Sequence, residues 1–70
     1  MQDAELFDLA DQVGCTATGA AYIAGVSDAA CEDGWNPPEG CFFAPYWRGW
    51  HLGVRMLTDV RYTVFLRQVV

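Results

Sequence analysis

Apolar residues near the start of the chain recur at the spacing of an amphipathic helix. They are Leu6, Leu9, Ala10, Val13 and Ala17. At about 100° per residue, three carboxylates fall on the opposite side of that helix: Glu5, Asp8 and Asp11. Asp3 precedes the pattern, and its side chain can cap the free N–H groups of a first turn. We therefore predict a first helix that starts at Asp3 and breaks at Gly14 or Gly19.

A second helix is predicted from small residues, and a turn-rich loop follows it. The helical stretch contains Ala20, Ala21, Ile23 and Ala24 and ends near Gly25 or Ala29. Residues 32–45 contain residues that preclude a regular element, namely Gly34, Pro37, Pro38, Gly40 and Pro45. The same loop carries Trp35, Phe42 and Phe43, which suggests that it folds back over the core.

A third helix is predicted from Pro45 onward, because proline is favourable in a first helical turn. One face of it holds Tyr46, Trp47, Trp50, Gly53, Val54 and Leu57. Gly53 would let another backbone approach, and the natural counterparts are Ala20, Ala21 and Ala24. We expect Trp47 and Trp50 to be core residues and Trp35 to be the best candidate for an exposed interaction platform. The other side of this helix carries a basic strip of Arg48, His51 and Arg55.

The pattern changes after Asp59. In residues 60–70, Val60, Tyr62, Val64 and Leu66 alternate with Arg61, Thr63, Phe65 and Arg67. This alternation predicts a strand, whose backbone groups need a partner. Two copies could pair these edges, so we expect a homodimer or higher oligomer through residues 60–70. The rival is a helical continuation that packs on the same chain. The predicted fold class is mainly α: two or three helices across a Pro/Gly-rich turn, with a C-terminal β-strand-like segment.

Length and charge restrict the choices further. Seventy residues form a single small domain, residues 1–70, and the apolar share of 53% argues against disorder. The chain has a net charge of −5 and no lysine, and every acidic residue except Asp59 lies in the first 40 positions, which contain no Lys or Arg. This balance argues against direct nucleic-acid binding, although it also serves simple solubility. No apolar run is long enough to cross a membrane, and the acidic N-terminus is unlike a signal peptide, so we expect a soluble cytoplasmic protein.

Candidate catalytic and metal-binding residues are few. Cys15, Cys31 and Cys41 could join His51 in a zinc site, but their spacing lacks the close pairs typical of such sites. A Cys–His nucleophile needs a third, orienting group and a cleft. The carboxylates cluster on a helix surface, and no glycine-rich phosphate loop follows a strand. We therefore predict reduced thiols, no metal, no cofactor and no enzymatic activity.

The order of a small-residue helix, a Pro-containing turn and a Tyr-Trp…Gly-Trp helix resembles the ribosome modulation factor family and similar small prophage proteins. The resemblance covers residues 17–55, and the matching positions are Ala21, Ala24, Gly25, Pro37, Tyr46, Trp47, Gly49 and Trp50. It implies two helices packed across a turn and stoichiometric binding to the small ribosomal subunit beside ribosomal RNA, which promotes ribosome inactivation.

The chain departs from that family in three ways. Its first helix is acidic where the family has a basic one, the turn after Gly25 is longer, and the segment after Asp59 is extra. Two hypotheses therefore stand: a modulator of the ribosome, and a phage-encoded acidic inhibitor that mimics nucleic acid at a basic site of a host protein. Either would bind a protein or ribonucleoprotein partner in a bacterial cell. The basic strip either contacts that partner or pairs with the N-terminal acids. The candidate partner-binding residues are Glu5, Asp8, Asp11, Trp35, Arg48, His51 and Arg55.

Overall fold

The structure is a computed structural model that describes the backbone of residues 1–31 and 33–69, with side chains up to Asp59. It contains α1 (Asp3–Val13), α2 (Ala17–Ala29) and α3 (Phe43–Val69), with a 3₁₀ helix at Gly40–Phe42 directly before α3. The expectation of a mainly helical chain is confirmed. Helix α2 packs against α1 on one side and against α3 on another.

Helix α1 is short and amphipathic. It buries Leu6 and Ala10 and leaves its acidic residues in solvent. Its N-cap residue is Gln2, so the prediction that Asp3 caps the helix was wrong; Asp3 is instead in the first turn, where a carboxylate still favours the positive end of the helix dipole. The predicted break at Gly14 is confirmed, because Gly14 adopts a left-handed φ of 75° and donates its N–H to the Ala10 carbonyl.

Helix α2 starts at a capping threonine. The Oγ1 of Thr16 accepts a hydrogen bond from the Gly19 N–H at 3.1 Å, which satisfies one of the free donors of the first turn. The helix runs through Gly19 and Gly25 to Ala29, and its buried residues are all small: Ala20, Ala21, Ala24 and Gly25. Their small size lets neighbouring helices approach closely.

Three glycines bring the backbones of α2 and α3 together, and we call Gly25, Gly49 and Gly53 the glycine seam. A Cβ atom at Gly25 would collide with the Tyr46 carbonyl and the Trp50 N–H group. At Gly49 it would collide with the backbone of Tyr22. Any larger residue at these two positions would push the helices apart.

The third member of the seam confirms one sequence prediction. Gly53 permits the close backbone approach expected of it, since a Cβ there would collide with the Val26 carbonyl and the Ala29 side chain. The alanines expected as its counterparts are buried, but Val26 and Ala29 are the residues that face Gly53.

The packed face of α3 is rotated relative to the predicted one. Tyr46, Gly49 and Gly53 are buried, and Trp50 lies half-buried against the core. Trp47 is 43% exposed and Val54 is 42% exposed, so their predicted burial was wrong. Because the seam is made of glycines, the two helices meet along a narrow strip, and side chains that flank this strip stay outside.

The C-terminal strand is not confirmed. Residues 60–69 continue α3 without a break, so their backbone groups are paired within the helix and need no second chain. Strand propensity is a weak preference, and a helix already growing from Phe43 extends at low cost. The predicted dimer pairs the edges of this strand, and the helical backbone of residues 60–69 offers no strand edge; Val70 lies outside the described residues. Among the helices in the described part, none has the length and apolar character needed to span a membrane.

Candidate binding surface

Trp35 is the hub of a cluster of aromatic rings. Its ring packs edge-to-face against four others, with centroid distances of 6.2 Å to Phe43, 5.6 Å to Tyr46, 5.5 Å to Trp47 and 4.9 Å to Trp50. Each such pair contributes about 0.5–1.5 kcal/mol beyond the area it buries. Trp35 is therefore one of the residues that attach the loop after α2 to α3.

Much of this cluster remains in solvent. Trp35 and Trp47 are each 43% exposed, and Phe43 is 42% exposed. Phe43 and Trp47 lie one helical turn apart and stack at 6.4 Å with an interplanar angle of 10°, and His51 continues the row with its ring 4.3 Å from that of Trp47. We call Trp35, Phe43, Trp47 and His51 the aromatic surface.

The hydroxyl of buried Tyr46 fixes the loop that carries Trp35. It donates a hydrogen bond of 2.6 Å to Oδ2 of Asp28 and accepts one of 2.9 Å from the Asn36 N–H. Burial of the phenol and its bond to the Asp28 carboxylate raise the pKa of Tyr46 to about 12, although the Asn36 N–H acts in the opposite direction. Asn36, the residue next to Trp35, is thus bonded to α3 directly and linked to α2 through the Tyr46 hydroxyl.

A second tie holds the same loop to the start of the chain. The Met1 ammonium group donates to Oδ1 of Asn36 at 2.8 Å and to the Pro37 carbonyl at 3.3 Å.

Met1 also lines a polar cavity of about 580 Å³ that opens to solvent between the first residues and the loop, with Asp3 and Glu39 in its wall. Its lining offers carboxylates and a terminal ammonium group without a nucleophile beside a base.

The predicted charged residues form separate exposed groups. Glu5, Asp8 and Asp11 are all exposed on α1, and Arg48 and Arg55 are exposed on α3. Among the described residues, no ion pair links these carboxylates to the basic strip. The alternative in which the strip pairs with the N-terminal acids is therefore not what the structure shows. Of the predicted binding residues, only Trp35 and His51 share one aromatic cluster.

The cysteines form no disulfide. Cys15, Cys31 and Cys41 are all exposed. Within residues 1–31 and 33–59, no three His, Cys, Asp or Glu side chains gather in a way that could hold a metal ion. A small apolar groove of about 190 Å³ lies elsewhere, between the end of α2 and the middle of α3, and is lined by Val26, Ala30, Gly53, Met56 and Leu57.

Sequence reasoning missed two parts of this surface. Phe43 was assigned to the loop, although its spacing of four residues from Trp47 is typical of neighbours on one helix face. The bond from the Tyr46 hydroxyl to Asp28 had no sequence signal, since it joins residues 18 positions apart.

Comparison of the chain with protein-family profiles, curated proteins and solved structures finds no match.

Proposed function

We propose that the protein is a non-enzymatic binding protein that attaches stoichiometrically to a macromolecular machine in the bacterial cytoplasm and modulates or inhibits it. The ribosome is the machine implied by the resemblance to the ribosome modulation factor family. The observation that supports binding is the aromatic surface, where Trp35, Phe43 and Trp47 remain 42–43% exposed although they contact one another.

The composition of this surface suits a contact with another macromolecule. Tryptophan is enriched among the residues that dominate binding energy at interfaces. With about 150–250 Å² per aromatic side chain, the exposed fractions of Trp35, Phe43 and Trp47 amount to roughly 200–300 Å² of apolar surface. That area is enough for the centre of an interface but not for all of it.

The surface is also held in place before any partner arrives. Asn36, the neighbour of Trp35, is bonded through its N–H to Tyr46 and through its side chain to the Met1 ammonium group. A site that is already ordered loses little conformational entropy on binding, so more of the contact energy appears as affinity. This rigidity favours a dedicated binding site over a loop that is exposed by chance.

The charges around the surface favour a protein or ribonucleoprotein over naked nucleic acid. Arg48 adjoins Trp47 along α3, and His51 contacts the Trp47 ring, so a few phosphates could be met there. The net charge of −5 opposes a long tract of phosphates. A ribonucleoprotein offers both protein contacts and a limited number of exposed bases or phosphates.

Co-sedimentation with purified bacterial ribosomes through a sucrose gradient tests this proposal. We expect the wild-type chain to travel with the small subunit at one copy per particle, and Trp35→Ser to weaken binding at least about tenfold. Tyr22→Ser is the matched control, since Tyr22 is also a half-exposed aromatic residue but lies on α2 outside the cluster. A wild-type chain that stays at the top of the gradient would reject the ribosome as the partner.

The acidic face of α1 favours a second candidate, an inhibitor that occupies a basic nucleic-acid site of a host protein. Glu5, Asp8 and Asp11 are exposed and have no ion pair among the described residues. Binding through them would weaken with salt, because exposed charges are screened over about 8 Å at physiological ionic strength. The test is a triple variant with lysine at these three positions, assayed for competition with DNA or RNA. Unchanged competition would exclude the acidic face.

A further inference from the structure

A second aromatic contact lies between α1 and the 3₁₀ helix that precedes α3. Phe42, in the 3₁₀ helix, directly precedes Phe43, and its ring packs edge-to-face against Phe7 of α1 at 6.1 Å. Phe7 is 53% exposed. Phe42 is thus linked to Phe7 through its ring and to Phe43 through the backbone, and we call the set of Phe7, Phe42, Phe43, Trp35 and Trp47 the aromatic band.

The two ends of the aromatic band carry opposite charges. At the α1 end, Asp3 and Asp11 lie four residues before and after Phe7, so both are its neighbours on the helix surface. At the α3 end, Arg48 follows Trp47, and Arg55 lies two turns further along the same side of the helix. All four charged residues are exposed, and among the described residues no ion pair neutralises them.

Such a surface is complementary to itself. In a dimer with a two-fold axis, each patch meets the same patch of the other copy in the opposite direction. The two-fold rotation reverses the direction of the aromatic band in the second copy. The acidic end of one copy then lies on the basic end of the other. The aromatic rings of the two copies then meet in the middle.

The area agrees with the size of a specific interface. From about 150–250 Å² per aromatic residue, the exposed fractions of Phe7, Trp35, Phe43 and Trp47 give roughly 550–900 Å² of apolar area over two copies. Specific interfaces bury about 1,200–2,000 Å² in total, of which about 56–65% is apolar. The aromatic band therefore supplies the apolar part of a small but specific interface, and the charged ends supply its polar rim.

The composition of the core points in the same direction. Among the described residues, the largest fully buried side chains are Tyr46, Leu6 and Pro38, and the rest of the buried apolar core consists of alanines. A chain of this size is marginal as a monomer, because a small domain buries little of its surface. Covering the aromatic band would add burial that the single chain does not achieve.

We propose that a second copy of this chain covers the aromatic band in a two-fold symmetric dimer, with Asp3 and Asp11 of each copy against Arg48 and Arg55 of the other. The dimer is a property of the chain alone. If the proposed function is correct, the dimer also hides the aromatic surface, so self-association and binding of the partner exclude each other.

Analytical ultracentrifugation of the full chain, without any partner, tests the dimer. Two charge-reversed variants are compared with the wild type: one carries Asp3→Lys and Asp11→Lys, and the other carries Arg48→Glu and Arg55→Glu. Like charges then face each other in both homodimers, so each variant alone should dimerise at least about tenfold more weakly. An equimolar mixture restores opposite charges at both ends and should form a heterodimer.

The mixture also controls for misfolding, because a variant that had lost its structure would not regain dimerisation. A second comparison uses Phe7→Ser, which should weaken the dimer, and Leu52→Ser, which changes a half-exposed residue of α3 outside the band and should not. A wild-type chain that is monomeric throughout the micromolar range would overturn the proposal. So would a dimer that survives both charge reversals, or one that Leu52→Ser disrupts as strongly as Phe7→Ser. These outcomes are independent of ribosome binding, which is measured separately.

Discussion

Replacing Tyr46 with phenylalanine isolates the hydrogen bonds that anchor the loop of Trp35. The Tyr46 ring is fully buried, and phenylalanine keeps that ring and its packing. Only the hydroxyl is removed, together with its bond to Asp28 at 2.6 Å, a longer contact to the Gly34 carbonyl at 3.4 Å and the bond it accepts from Asn36 at 2.9 Å. The loss of stability in this variant therefore measures polar contacts, without a cavity in the core.

The expected loss follows from the two partners. A hydrogen bond to a charged group contributes about 1.5–3 kcal/mol, and one between neutral groups about 0.5–1.5 kcal/mol. Asp28 is only half-buried, so water can replace part of its lost bond. We therefore expect a loss of about 2–3 kcal/mol. The free energy of unfolding for a chain of this length is about 4–10 kcal/mol, so the loss is a substantial fraction of it.

The measurement is urea denaturation followed by far-UV circular dichroism. Tyr46→Phe should lower the midpoint and leave the m-value unchanged, since the surface exposed on unfolding is the same. A double-mutant cycle with Asp28→Ala, which removes the acceptor, separates the contribution of the Tyr46–Asp28 bond from that of the Asn36 N–H. A loss below about 0.5 kcal/mol would show that the hydroxyl does not anchor the loop, and a coupling energy near zero would show that the bond to Asp28 contributes nothing to stability.

Three further predictions use other features of the chain. The pKa of Tyr46 is raised from 10.0 to about 12, so the unfolded chain loses this proton at a lower pH than the folded chain. The stability due to the protonated hydroxyl is therefore intact below pH 10 and is lost between pH 10 and 12. Alkaline unfolding curves should show a shallower decline of stability for Tyr46→Phe than for the wild type. Gly49→Ala should lower the free energy of unfolding by about 2 kcal/mol or more, because its Cβ would collide with the α2 backbone. The control is Gly19→Ala, whose Cβ would make only ordinary contacts; it should be neutral or stabilising in the same urea assay. Trp50→Ala should cost about 2–3 kcal/mol, somewhat less than a fully buried tryptophan, and a melting temperature equal to the wild type would contradict its role in packing.

The sequence was informative where packing depends on residue size and periodicity. The helical spacing of apolar residues, with carboxylates on the opposite side, predicted α1, and Gly14 ends it because glycine readily adopts positive φ. The run of alanines predicted that α2 would offer a small-residue face, and Gly53 was recognised as a point of close approach. These signals are local, so they can be interpreted from the sequence without knowledge of the tertiary fold.

The C-terminal segment shows where local propensity fails. Its β-branched residues favour a strand by a small amount per residue, but a strand requires a partner, whereas a helix pairs its own backbone. Residues 60–69 follow directly on a helix that starts at Phe43, so each added residue gains a backbone bond without a new nucleation step. The element that precedes a segment can thus outweigh its own composition.

The binding surface depends on contacts between residues that are distant in sequence. Trp35 was identified as a platform because it lies in a loop, but its contacts with four rings follow from how α2 returns to α3. Trp47 was assigned to the core because tryptophans are usually buried, and it is exposed because the glycine seam keeps the packed strip narrow. Periodicity gives the direction in which a side chain leaves its helix. Whether that side chain is buried depends on the width of the contact with the neighbouring helix.

The glycine seam has a consequence for how this protein can change during evolution. The positions that hold α2 to α3 accept only the smallest residue, and they lie apart from the rings that face solvent. Substitutions at Phe43 or Trp47 alter the shape and chemistry presented to other molecules without entering the contact between the helices. A lineage can therefore change what this surface presents by drift of a few large side chains, while the helix pair beneath them stays the same.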